Sequence, residues 1–166
     1  MLRSVLRPAA LALLLGAPAA AQPAATTAFG GITADIRAPV EVSAEALSVN
    51  QTDGTAVFTG NVVIGQGEMR LSADRVLVVY VEGDRRRISS LEATGGVTLV
   101  SGEDAAEAAE ARYDVESGTV TLTGDVVVTQ GQNVLAGETM VVDLGDGTAR
   151  VEGRVRSVLQ PGSGSD

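Results

Sequence analysis

The chain has 166 residues with 12 Arg, no Lys and 21 acidic residues, a net charge of −9, and it contains neither Cys nor His. So acidic a chain is a poor partner for nucleic acid, whose binding rests on phosphate neutralisation, and it lacks the basic cluster that would hold it to an anionic membrane surface. Disulfides are excluded, and the usual general base, thiol nucleophile and transition-metal ligands are missing, so any chemistry would fall to carboxylates.

Residues 1–21 read as a cleaved export signal. Arg3 and Arg7 precede the apolar run from Ala9 to Leu15, and Ala19-Ala20-Ala21 supplies small residues before a new terminus at Gln22. The run is too short for a spanning helix, which needs roughly 20 apolar residues. Removal of the signal leaves ten Arg against 21 acidic residues, a net −11. Residues 22–38, rich in Ala, Thr and Gly, predict a flexible leader. Residues 160–166 predict a disordered tail. Between them, residues 39–159 are Val-rich and Gly-punctuated, which signals strands joined by turns in one domain.

One segment occurs twice without a gap. Gly54 to Leu71 reads GTAVFTGNVVIGQGEMRL, and Gly118 to Leu135 reads GTVTLTGDVVVTQGQNVL, with nine of eighteen positions unchanged. Such a repeat predicts an all-β array of stacked antiparallel strands. In the second copy Val120, Leu122, Val126 and Val128 alternate with Thr119, Thr121, Thr123, Asp125 and Thr129, which places the first set on an apolar interior. Phe58, Val62 and Ile64 share that parity in the first copy, leaving Val63 and Val127 as single outward valines. Gly60, Gly96, Gly124 and Gly153 mark comparable points of four units. Hairpin turns are predicted at Asp53-Gly54, Gly83-Asp84, Ser117-Gly118 and Asp146-Gly147. The final unit, Ala149 to Arg156, alternates strictly and predicts a one-sided edge strand. Glu103 to Arg112 has high helix propensity. It admits a short helix or a strand, and the strand is favoured only for Ala111 to Val115.

The remaining candidates divide by chemistry. Arg85, Arg86 and Arg87 form the only basic cluster; they suit a phosphate or acidic partner, or simply a solvated turn that blunts a strand edge. Glu103, Asp104, Glu107 and Glu110 have neither the spacing of a glycosidase pair nor that of a calcium loop, and read as a solvated face. With only Phe29, Phe58, Tyr80 and Tyr113 there is no stacking platform for bases or sugars. An aliphatic interior with so few bulky fillers suits either a trough for acyl chains or an ordinary packed core.

Phe58-Thr59-Gly60-Asn61-Val62-Val63, then Gln66-Gly67 and Leu71-Ser72-Ala73-Asp74-Arg75-Val76, resembles the signature of the LptA/OstA-like family of periplasmic lipopolysaccharide-transport bridge proteins. Pro39 to Glu45 resembles that family's first strand, and Leu122-Thr123-Gly124-Asp125-Val126 its second-half copy. The resemblance spans roughly Pro39 to Val158. It implies an open β-jellyroll in the periplasm that binds lipopolysaccharide through lipid A, with no enzymatic activity and no cofactor. It also implies head-to-tail self-assembly between inner-membrane-anchored and outer-membrane partners of the same fold. Two features depart from better-known members: the acidic charge without Lys, and a compressed third unit around Glu103 to Arg112.

On that reading the groove is lined in the first units by Val40, Val42, Phe58, Val62 and Ile64, then by Leu71, Val76, Val78, Leu99 and Tyr113. In the later units the lining is Val120, Leu122, Val126, Val128, Met140 and Val142, continuing to Val151 and Val155. Val40 and Val42 at one edge, and Val151 and Val155 at the other, would hold neighbouring copies. The competing reading is an exported β-solenoid scaffold or adhesin with a packed interior. A polysaccharide-processing β-helix enzyme is disfavoured by the missing catalytic cluster.

Overall fold

A computed structural model describes residues 32–159. The signal segment, most of the leader, Phe29 and the tail lie outside the described residues. Every regular element described is a strand. They are β1 (Glu41–Ser43), β2 (Ala46–Asn50), β3 (Thr55–Gln66), β4 (Met69–Val81), β5 (Asp84–Ser101), β6 (Asp104–Asp114), β7 (Thr119–Gln130), β8 (Asn133–Asp143), β9 (Ala149–Glu152) and β10 (Arg156–Val158). All ten form one antiparallel sheet in which β3 to β8 pair consecutively. One edge is the broken strand β1/β2, both halves pairing with β3; the other is the broken strand β9/β10, both halves pairing with β8.

The sheet bends at one level in every long strand. Gly60-Asn61 in β3, Gly95-Gly96 in β5 and Gly124-Asp125 in β7 have consecutive positive φ values, and Gly153-Arg154 between β9 and β10 repeats the pair. The left-handed region costs an ordinary residue about 1–2 kcal/mol, and Asn and Asp bear it best. At this level β3, β5 and β7 each carry one residue more than the neighbouring strand. Gly60 and Asn61 oppose Asp74 alone, and Gly124 and Asp125 oppose Glu138 alone. These are β-bulges, which bend a strand and sharpen its twist. Gly124 is required for a second reason: a Cβ there would lie 2.8 Å from that of Ala109.

The bend governs which residues face inward. In the bulged strands the buried positions keep even spacing across the corner, as in Leu122 and Val126, or Ala93 and Val97. In the unbulged strands the spacing becomes odd: Ala73 and Val76 in β4, Ala108 and Ala111 in β6, Leu135 and Met140 in β8. Two halves of one sheet thus turn their apolar faces toward each other and enclose a single core.

One open alternative is decided as strand, and one expectation needs correction. The segment Glu103 to Arg112 has no helical turn: β6 runs from Asp104 to Asp114, pairing with β5 and β7 along its length. Helix propensity is a few tenths of a kcal/mol per residue, and it yields to two ladders of hydrogen bonds and the burial of Ala106, Ala108 and Ala111. The unit Ala149 to Arg156 is not one strand, because the Gly153-Arg154 kink splits it; Val155 falls between β9 and β10 and is 49% exposed.

A sterically set corner separates two substitutions of equal chemistry. Gly124→Ala should cost about 1–3 kcal/mol more than Gly131→Ala in urea unfolding, since both force an alanine into the left-handed region but only Gly124 meets a neighbour. Adding Ala109→Gly should recover the difference. Equal costs for the two single variants would refute the claim that the corner is sterically set.

Candidate functional site

The candidate site is the inner face of the bent sheet. From β3 to β8 the side chains on that face are mainly Val, Leu, Ile, Ala and Met, with Phe58 and Tyr113, and with Gln66, Ser101 and Asp104 buried toward the turns; most of the aliphatic ones are at most 2% exposed. The two walls are identified by their turns. One wall ends in the turns after β2, β4, β6 and β8, near residues 51–54, 82–83, 115–118 and 144–148; the other ends near 67–68, 102–103 and 131–132. Between these two rows of turns lies the mouth, opposite the corner.

The structure brings the expected lining residues together. Val62, Ile64, Leu71, Val76, Val78, Leu99, Tyr113, Val120, Leu122, Val126, Val128, Met140 and Val142 are all buried in one cluster. Val40, Val42, Phe58 and Val151 are partly buried against it. Val155 alone stands outside. The lining is larger than the sequence pattern indicates: Ala56, Met69, Leu91, Ala93, Val97, Leu135 and Leu144 are also buried. Met69 follows directly on the turn at 67–68, where the alternation is short.

The walls are closed on each other, as a packed core rather than an open trough. No buried side-chain nitrogen or oxygen among the described residues lacks a partner. The polar link across the interior is the Tyr113 hydroxyl, which donates to Gln66 Oε1 at 2.6 Å from the opposite wall. Gln66, 2% exposed, was visible in the repeat as the Gln-Gly pair shared with Gln130-Gly131. Gln130 Nε2 in turn donates to Asp104 at 3.1 Å.

Residues 32–38, at the end of the expected leader, cross the mouth. Ser101 Oγ donates to the Thr33 carbonyl at 2.7 Å and accepts from the Thr33 amide at 3.3 Å on one wall. The Ala34 amide donates to the Leu144 carbonyl at 3.2 Å on the other wall. Gln66 Nε2 donates to the Ala38 carbonyl at 3.1 Å. Ile32 is 2% exposed and belongs to the core.

The charged candidates lie elsewhere. Arg85, Arg86 and Arg87 open β5 and are exposed; Arg85 donates to the Gln51 carbonyl at 2.6 Å and Arg86 pairs with Asp84. Glu103, Glu107 and Glu110 are exposed, while Asp104 is held by Gln130. At the corner Asn61 donates to Glu45 at 2.5 Å and Arg154 pairs with Glu138 at 2.6 Å. Exposed pairs of this kind contribute about 0–1 kcal/mol each.

Burial raises the Tyr113 pKa above its ordinary value near 10, and the charge of Asp114 acts in the same direction. Folding thus favours the protonated phenol, whose contribution is complete below about pH 10 and lost as pH rises through the raised value. Tyr113→Phe should lower stability by about 1–3 kcal/mol at neutral pH, because Gln66 Oε1 is left buried without its donor. The wild-type advantage in chemical denaturation should shrink above about pH 10. An advantage that is absent at pH 7, or unchanged in strong alkali, would show that the bond does not tie the walls.

Residues 41–148 match the family described as LptA/(LptD N-terminal domain) LPS transport protein. An uncharacterized protein of Rhizobium meliloti (strain 1021) is 29% identical over 165 residues, covering 93% of this chain and 89% of the relative. The lipopolysaccharide export system protein LptA of Escherichia coli (strain K12) is 25% identical over 113 residues, 64% of this chain and 60% of that protein. The crystal structure of LptH from Pseudomonas aeruginosa, described as the LptA homologous periplasmic component of the lipopolysaccharide transport device, superposes with a TM-score of 0.68 at 21% identity. It covers 77% of this chain and 99% of the LptH chain, a likeness of fold. With the family match extending over residues 41–148, the chain belongs to the LptA/LptD N-terminal domain family of lipopolysaccharide transport proteins.

Proposed function

We propose that this protein is a non-catalytic periplasmic carrier that takes the acyl chains of lipid A between its two walls and hands lipopolysaccharide toward the outer membrane. The observation that carries the reading is the predominantly apolar inner face from β3 to β8, its buried polar groups lying toward the turns, in a member of a lipopolysaccharide transport family. Burying acyl chain is worth about 0.8 kcal/mol per methylene, or roughly 10 kcal/mol for one chain. Parting the walls exchanges side-chain contacts for contacts with the lipid, so the apolar environment is kept. The acidic surface repels lipid A phosphates, which fits a mode where the acyl chains are enclosed and the head group stays at the rim.

The same reading includes assembly. The edges β1/β2 and β9/β10 each pair on one side only, and an unpaired strand is a template for another chain. Joining two different edges is heterologous and yields open filaments. Leu47 and Val49, on β2 opposite Phe58 and Ala56, are 55% and 58% exposed and would continue the inner face into the next copy. The partners are other copies, with inner-membrane-anchored and outer-membrane proteins of the same fold at the ends. Val40 and Val42 would hold one edge, with Val151 and Val155 at the other.

Photo-crosslinking tests the face. A crosslinker at Phe58, Leu122 or Val126 should capture lipopolysaccharide, whereas one at Thr123 or Asp125 should not; equal capture from both faces would rule out the inner face as the site. Val126→Asp should abolish capture or unfold the protein, since an unpaired buried charge costs several kcal/mol. Assembly is read by sedimentation: the wild type should associate with rising concentration, and truncation from Ala149 should leave a monomer. A wild type that stays monomeric over a wide concentration range, with no crosslink between the two edges, would exclude the bridge.

A further inference from the structure

Residues 32–38 occupy the side of the core that the sheet does not enclose. The corner closes one side and the walls close two, so apart from the two ends at the sheet edges the mouth between the two rows of turns is where an acyl chain could pass. The segment touches both rows. Thr33 is held by Ser101 on one wall and Ala34 by Leu144 on the other. Asp35 lies against Gly67, and Ile36 against Gly118 and Gly145. Ile32 places a fully buried aliphatic side chain in the core beneath these contacts.

The attachment is slight beside that of the strands. Among the described residues the segment has no ladder partner, and its own turn is closed locally by the Ala38 amide on the Asp35 carbonyl and the Arg37 amide on Asp35 Oδ1. Segments with few buried apolar contacts and few hydrogen bonds open at lower free energy than the core strands. Besides Ser101, Gln66 couples this segment to the walls. Gln66 accepts from Tyr113 with its carbonyl oxygen and donates to Ala38 with its amide, so the same residue ties wall to wall and strap to wall.

We propose that residues 32–38 are a releasable strap that keeps the mouth shut in the empty protein, and that an acyl chain takes the place of Ile32 when the strap leaves. The proposal rests on the carrier reading above. Release of the strap removes Ile32 and one of the two Gln66 bonds together, which loosens the walls at the point where the ligand would enter.

Two measurements on the full chain decide it. In hydrogen exchange without ligand, the Ala34 amide should exchange at least about a hundredfold faster than the amides of β7, as expected for local opening without unfolding of the sheet. Equal rates would make the segment an ordinary part of the core and overturn the strap. In the second, Asp35→Cys with Gly67→Cys pins the strap to the β3–β4 turn: a Cβ at 67 would lie 3.5 Å from Asp35 Cβ, within the reach of a disulfide, and the chain has no other Cys. The oxidised form should bind purified lipopolysaccharide at least about tenfold more weakly than the same protein reduced, a difference in accessible state rather than in contacts. Equal binding in the two forms overturns the proposal. Fast exchange at Ala34 with no binding in either form sinks the carrier reading and the acyl-chain role, while leaving the release itself established.

Discussion

A sheet of long amphipathic strands can bury its apolar face only against another layer, and in this protein the other layer is the same sheet. Everything depends on the corner. At that level β3, β5 and β7 each insert one extra residue, and their Gly-led pairs take a backbone conformation that costs most side chains about 1–2 kcal/mol. The bend brings Val62, Leu71 and Val126 into one core with Val76, Leu122 and Met140 without a change of strand. No second sheet and no helix is required. The packing between the two walls is apolar and non-directional, so the interior has little that would refuse an aliphatic guest.

That property links stability to function. A core built from Val, Leu, Ala and Met is bound together by burial rather than by a fixed polar network, and the described residues leave no buried side-chain polar atom unpartnered. Replacing one wall's side chains by acyl methylenes preserves the same kind of contact, whereas water would not. The polar links sit at the mouth, at Gln66, Tyr113 and Ser101. They are the contacts that opening must break, and each net contribution is about 1 kcal/mol. The open edges of the sheet extend the same logic to assembly, because a sheet that cannot close on itself keeps two templates for pairing.

Much of this was legible in the residues. The duplication of Gly54–Leu71 in Gly118–Leu135 disclosed the all-β array, its turns and the inward parity of β3 and β7, since the bulged strands preserve even spacing through the corner. The unbulged strands hid their pattern: Ala73 and Val76, or Ala108 and Ala111, are spaced oddly, which no simple alternation predicts. β6 was obscured further by Ala and Glu, whose local preference is helical and whose strand state is imposed by the neighbours on both sides. The last unit read as a continuous strand because Gly153-Arg154 looks like ordinary alternation until the positive φ values appear. The strap was invisible, since a low-complexity leader carries no mark of where it begins to pack; Ile32 and Ile36 were the bulky aliphatic residues that could have hinted at it.

The central claim is that the inner face of the bent sheet is a lipid A site. The most direct test is mass spectrometry of the protein purified gently from cell envelopes. The account predicts co-purifying lipid A in the wild type and its loss in Val126→Asp or Leu122→Asp protein that remains folded. Wild-type protein free of lipid A, or equal amounts of it on protein whose inner face carries a charge, would contradict the account.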